Sequence, residues 1–174
     1  ARALARRRKG DLAAALADAD AAVERAPGSA AARNLRGSVR FRLGDYRGAL
    51  ADHLAALAID PDDAATLNHV AWLRAVCPLD DVRDGPAAVR DAARACELTG
   101  HAIPGYLDTL AAAHAETGRF DDAVRWQEQA LQLVAPDHRP EYAARLALYR
   151  TGKAYREGAD ASAAADGPGD AGPA

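Results

Sequence analysis

"YRGALADHLAAL", residues 46–57, returns in altered form as "FDDAVRWQEQAL", residues 120–131. Aligned without a gap, both begin on an aromatic residue, and Ala49 meets Ala123, Leu50 meets Val124, Ala56 meets Ala130 and Leu57 meets Leu131. The charges drift while the small residues stay. That is the pattern of helices in close contact. A side chain inserted where two helices touch costs about 1–3 kcal/mol through overpacking, and a charge on an outer face escapes that cost.

Two more copies extend the pattern. With Leu12, Tyr46, Gly85 and Phe120 as anchors, the small residues are Ala15, Ala49, Ala88 and Ala123, spaced 34, 39 and 35 residues apart. Seven positions further on lie Ala22, Ala56, Ala95 and Ala130. Gly10-Asp11, Gly44-Asp45 and Gly118-Arg119 immediately precede three of the anchors. Glycine there ends one helix in the left-handed conformation, and Asp can cap the next. Each unit is therefore expected to be helix, tight turn, helix, and the fold all-α.

The period and the small residues at seven-residue spacing resemble the tetratricopeptide repeat, TPR. The second unit carries the likeness best. Gly37 is the small residue of its first helix, Ala49 and Ala56 are those of its second, and Pro61 closes it. The resemblance implies a right-handed solenoid of antiparallel helix pairs. Its units would be a partial repeat at 1–29, repeats at 30–63, 64–103 and 104–137, and a capping helix at 139–157. The third repeat holds an insert, "CPLDDVRDGP" (77–86), expected to be an irregular surface loop because two prolines and a glycine interrupt it. The cap covers the exposed end of the stack, as solenoids require. Residues 158–174, "GADASAAADGPGDAGPA", are low in complexity and expected to be disordered.

A narrower resemblance spans residues 67–157, through "LNHVAWLRAVCP", "AVRDAARACELTG", "YLDTLAAAHAETGRFDDAVRWQEQAL" and "LALYRTGKAYRE". It is similar to the C-terminal TPR segment of large bacterial, planctomycete-like multidomain signalling proteins. There such arrays follow serine/threonine kinase or other domains. The chain has no Met, even at position 1, and its first unit keeps only the end of a first helix, so a piece of a longer protein is expected.

Composition narrows the function classes. Aromatics make up 5% of the chain, which favours close helix contact over large aromatic anchors. A net charge of −3 gives no general pull toward nucleic acid or membrane. No apolar run approaches the roughly 20 residues of a membrane span, and no signal peptide is visible. Cys77 and Cys96 cannot form a disulfide framework and lack CxxC spacing, so a reducing, cytoplasmic setting is expected.

Catalytic patterns are missing. His53, His69, His101, His114 and His138 stand in no HExxH or other dense ligand spacing, so neither metal nor cofactor is expected. Cys96 follows the small Ala95 in a helix, where a buried inert thiol is the normal use. "DPDD" (60–63) lacks the glycine and distal glutamate of a calcium loop and fits a proline-closed turn with a capping Asp. "RRRK" (6–9) suits the dipole of a helix end, and no other unit extends a basic stripe, which argues against nucleic acid.

The TPR resemblance instead implies a concave groove lined by the first helix of each pair. It picks out Arg8, then Asn34, Phe41 and Arg42, then Asn68 and Trp72, then Asp108 and Glu116. One groove position would run Arg8, Arg42, Val76, Glu116, basic at one end and acidic at the other. Asn68 and Asp108 would share a position in successive units, as a hydrogen-bonded ladder or as ligand contacts. Trp72 would be either a stacking anchor or core. Asn34 and Asn68 match part of the carboxylate-clamp pattern, but no lysine stands in the groove, so chaperone binding is not implied. The expected function is non-enzymatic, a protein- or peptide-interaction module. The alternatives are a structural spacer or self-association element, or a regulatory segment of a larger protein such as a kinase.

Overall fold

The computed structural model describes residues 2–158, with side chains from Gly10 onward. It contains eight α-helices and no strand among the described residues. They are α1 (Arg2–Arg25), α2 (Ala30–Leu43), α3 (Tyr46–Leu57), α4 (Ala64–Val76), α5 (Gly85–Leu98), α6 (Pro104–Glu116), α7 (Phe120–Leu133) and α8 (Arg139–Arg150). A 3-10 turn, Pro136–His138, precedes α8. The expected low-complexity tail lies outside the described residues beyond Gly158.

The turns form where the sequence places its punctuation. Gly44 ends α2 with φ 82°, and its successor Asp45 accepts from the Gly48 N–H to start α3. Gly118, with φ 76°, makes the same turn between α6 and α7. Ser29, Asp63 and Asp84 cap α2, α4 and α5 through side-chain oxygens. Each satisfies an amide that a helix start leaves without a partner.

Gly10-Asp11 does not turn. α1 runs unbroken through it for 24 residues. Alanine, leucine and arginine around Gly10 are strong helix formers, and one interior glycine costs a helix only about 1 kcal/mol. The partial repeat therefore contributes one long helix instead of two.

The helices pack in chain order, and α4 also contacts α6. The spared alanines lie where they touch. Ala49, Ala56, Ala88, Ala95, Ala123 and Ala130 are all at most 1% exposed. In α1 the pattern weakens, since Ala15 and Ala22 are half-buried and Ala19 is the buried one. Between α2 and α3, Asp52 is buried and takes Arg36 through two bonds of 2.6 and 2.8 Å and Arg40 through one of 2.8 Å.

Gly37 shows how tight this contact is. A Cβ added there would lie 2.9 Å from His53 Cε1 and Nε2. His53 cannot yield freely, because its Nδ1 is 3.1 Å from Asn34 Oδ1 and its ring lies 5.0 Å from that of His69. Gly37→Val is thus expected to lower stability by about 1–3 kcal/mol, as read from the denaturant midpoint. An unchanged midpoint would show that the imidazole moves at no cost.

The insert is irregular over 77–84, and Pro86 falls in the first turn of α5, where proline needs no donor. It is more than surface. Cys77 and Val82 are buried, Arg83 donates to Cys77 O at 2.7 Å, and Asp84 N bonds Arg74 O at 3.0 Å. The expected capping helix is also shorter than read. α8 stops at Arg150, Gly152 turns the chain with φ 71°, and residues 153–157 leave the helix. That strap crosses back to α4, where Glu157 N donates to Val76 O at 2.9 Å.

Candidate functional site

Side chains of α2, α3, α4, α6 and α8, with Tyr155 and Glu157 of the strap, line two adjoining cavities that share Phe41, His69 and Trp72. One cavity, about 260 Å³, lies between α2, α3 and α4 and is walled by Phe41, His53, His69, Trp72 and Leu73. Ser38 and Arg42 complete the lining. Rings dominate, so the cavity favours an apolar or planar group. His53 donates from Nδ1 to Asn34 Oδ1, as a neutral ring can, and burial pushes its pKa down to about 4. Partial desolvation lowers His69 too, although the residue as a whole is exposed. Both imidazoles are then uncharged at neutral pH, and the cation at the rim is Arg42. It is exposed and forms no ion pair among the described residues.

A broader concavity opens beyond Trp72, against α6 and α8. Here Arg145 is enclosed by three rings. Its Cζ lies 5.7 Å from the centre of Trp72, 5.0 Å from Tyr142 and 5.6 Å from Tyr155. Such contacts are worth about 0.5–2 kcal/mol each, most when dry. Arg145 Nε also bonds Asp108 Oδ1 at 2.7 Å, an oxygen that accepts from Gln127 Nε2 at 2.7 Å. Burial raises the Asp108 carboxyl above its ordinary range, against the opposing pull of Arg145.

The residues picked out from sequence divide accordingly. Phe41, Arg42 and Trp72 meet at the first cavity. Asn34 is a brace: it bonds His53, Asp63 at 3.2 Å and Thr66, joining α2 to α3 and α4. Asn68 and Asp108 line the broader concavity but form no bond to each other; Asp108 takes Gln127 and Arg145, both on its Oδ1. Glu116 is held by Arg83 at 3.1 Å and Arg156 at 2.5 Å. Glu116 is thereby paired within the chain, and it lines neither cavity. The side chain of Arg8 lies outside the described residues.

Sequence reading missed Arg145, Tyr142 and Tyr155 as groove residues. Tyr142 and Arg145 stand three apart, on one face of a helix, a signal that a purely capping role for 139–157 hid. Tyr155 carried no signal while its segment was read as helical.

Nothing in the described residues gathers three or more His, Cys, Asp or Glu for a metal ion. Burial pushes the Cys96 thiol up to about 11 and raises Cys77 as well, so both are protonated, unreactive thiols at neutral pH. No helix among the described residues is long and apolar enough to cross a membrane. No protein-family model matches the chain, and no curated protein matches it.

Proposed function

We propose that the chain is a right-handed TPR-type solenoid whose concave face binds an extended peptide or partner helix. The repeat spacing, the left-handed glycine turns and the packing of each helix on its chain neighbours support the architecture. The observation that carries the function is the ring-lined cavity with an exposed arginine at its rim that forms no ion pair among the described residues. The segment it fits puts an apolar side chain between Phe41 and Trp72 and a carboxylate on Arg42.

The probes are twelve-residue peptides with one Leu or Phe flanked by Asp and Glu, compared with the same peptides carrying Lys in place of the acids. The acidic set binds the full chain, and Arg42→Glu slows its association and weakens its salt dependence while helicity is unchanged, since such charges act on encounter. Equal binding of the acidic and basic sets would remove Arg42 from the site. Failure of every set on a folded chain would remove the function.

A spacer is the second reading, favoured by the strap that covers part of the groove. It requires that no peptide set bind and that the chain stay monomeric.

A further inference from the structure

The strap lies where a partner would. α4 ends at Val76, so its last carbonyls have no helical donors. The strap supplies donors for the last two: Glu157 N reaches Val76 O at 2.9 Å, and Arg156 Nη1 reaches Ala75 O at 3.4 Å. Arg156 Nη2 adds the 2.5 Å contact to Glu116 Oε2. Tyr155 lays its ring 5.9 Å from that of Trp72, tilted by 38°. The seat thus offers acceptors and ring faces. It selects an aromatic residue for Trp72 and Arg145, followed by arginine, whose fork can reach a carboxylate and a carbonyl together.

The strap's hold is shallow. Ala154, Tyr155, Arg156 and Glu157 are half-buried and Lys153 is exposed, and the Trp72 and Glu116 side chains they meet are half-buried too. Two hydrogen bonds, one ion pair and the contacts of Tyr155 with Trp72 and Arg145 hold a five-residue segment outside every helix, none of it fully buried, and such segments can open without the rest of a fold.

We propose that Lys153–Glu157 is a detachable occupant of the groove. It closes the seat between Trp72 and Glu116 in cis, and the partner that displaces it carries an aromatic residue followed directly by arginine in an extended segment. This rests on the groove-binding reading above and extends it. The partner's apolar and acidic part lies at Arg42, and its aromatic–arginine part lies on the strap's seat.

The test uses the full chain and its Tyr155→Ala/Arg156→Glu variant, with a fluorescent copy of residues 151–158, TGKAYREG, as probe. An occupied seat weakens apparent affinity by the fraction that is open. The variant is expected to bind the probe at least about tenfold more tightly than the wild-type chain, and a probe with Glu for Arg binds neither. Equal affinity, or no binding by a variant of wild-type helicity, overturns the proposal. If that variant still binds the acidic peptides at Arg42, the groove reading stands and only the strap's role falls. If it binds neither probe nor peptides, both fall.

Hydrogen exchange on the wild-type chain needs no variant. The Glu157 amide is expected to exchange at least about tenfold faster than amides in the middle of α6, by local opening. Protection equal to α6 would make the strap a permanent part of the fold and overturn the proposal.

Discussion

Asp108→Ala lowers the unfolding free energy by about 3–5 kcal/mol, the usual cost of stripping one partner from a buried ion pair. The Asp108 side chain is 7% exposed and that of Arg145 12%, so neither can turn to water. Without the carboxylate, Arg145 keeps its charge among three rings, and the fully buried Gln127 loses the acceptor of one of its two bonds. In a chain of this size each kcal/mol shifts the thermal midpoint by about 2–4 °C. Asp108→Ala combined with Arg145→Met recovers much of the loss, because a packed apolar side chain then replaces an orphaned cation. A single-variant loss below about 1 kcal/mol would mean that the rings alone satisfy the guanidinium.

Acid is the second strong lever. His53 has a folded pKa of about 4 against an ordinary value of 6.5, because burial and then the neighbouring His69 disfavour its charge. The native state therefore binds fewer protons than the unfolded chain between these values. His53's contribution is complete above pH 6.5 and is lost as pH falls toward 4. Linkage gives a loss of about 2 kcal/mol by pH 5 and about 3 kcal/mol at pH 4. His69 and His114 are lowered as well and act in the same direction. His53→Asn keeps a donor for Asn34 and removes the titration. Its stability at neutral pH is lower, but its decline from pH 7 to pH 5 is flatter by about 2 kcal/mol. Denaturant melts across that range measure the difference, and parallel profiles would show that His53 is not the source.

The helical architecture was legible because small residues at helix contacts have no substitute. Ala49, Ala56, Ala123 and Ala130 are nearly inaccessible in the places their recurrence implied, and Gly44 and Gly118 carry the positive φ that ends a helix. Gly10 shares the motif and lacks the turn. A glycine–aspartate pair permits a turn, and only a helix packing back on its predecessor enforces one. The groove was half legible. Phe41, Arg42 and Trp72 gather as spacing indicates, since helical spacing fixes which side of a helix a residue takes. Asp108 and Glu116 are on the expected helix but are consumed by Arg145, Arg83 and Arg156. Those partners come from the insert, α8 and the strap, parts of the chain outside the repeat pattern. Ion pairing across such distances leaves no periodic trace in sequence.

The strap also governs how this protein can be handled. Lysine occurs twice in the chain, at Lys9 and at Lys153, and Lys153 opens the strap with its side chain exposed. Amine-reactive dyes, crosslinkers and sensor-chip couplings therefore have one side-chain target at Lys9 and the other on the segment beside the groove. A bulky adduct at Lys153 would crowd the strap and the proposed binding face, whereas a small environment-sensitive dye there would test whether the strap moves when a peptide is added. Both thiols are buried, so maleimide labelling offers no ready alternative without an introduced cysteine. Coupling chemistry is itself an experimental variable for this chain.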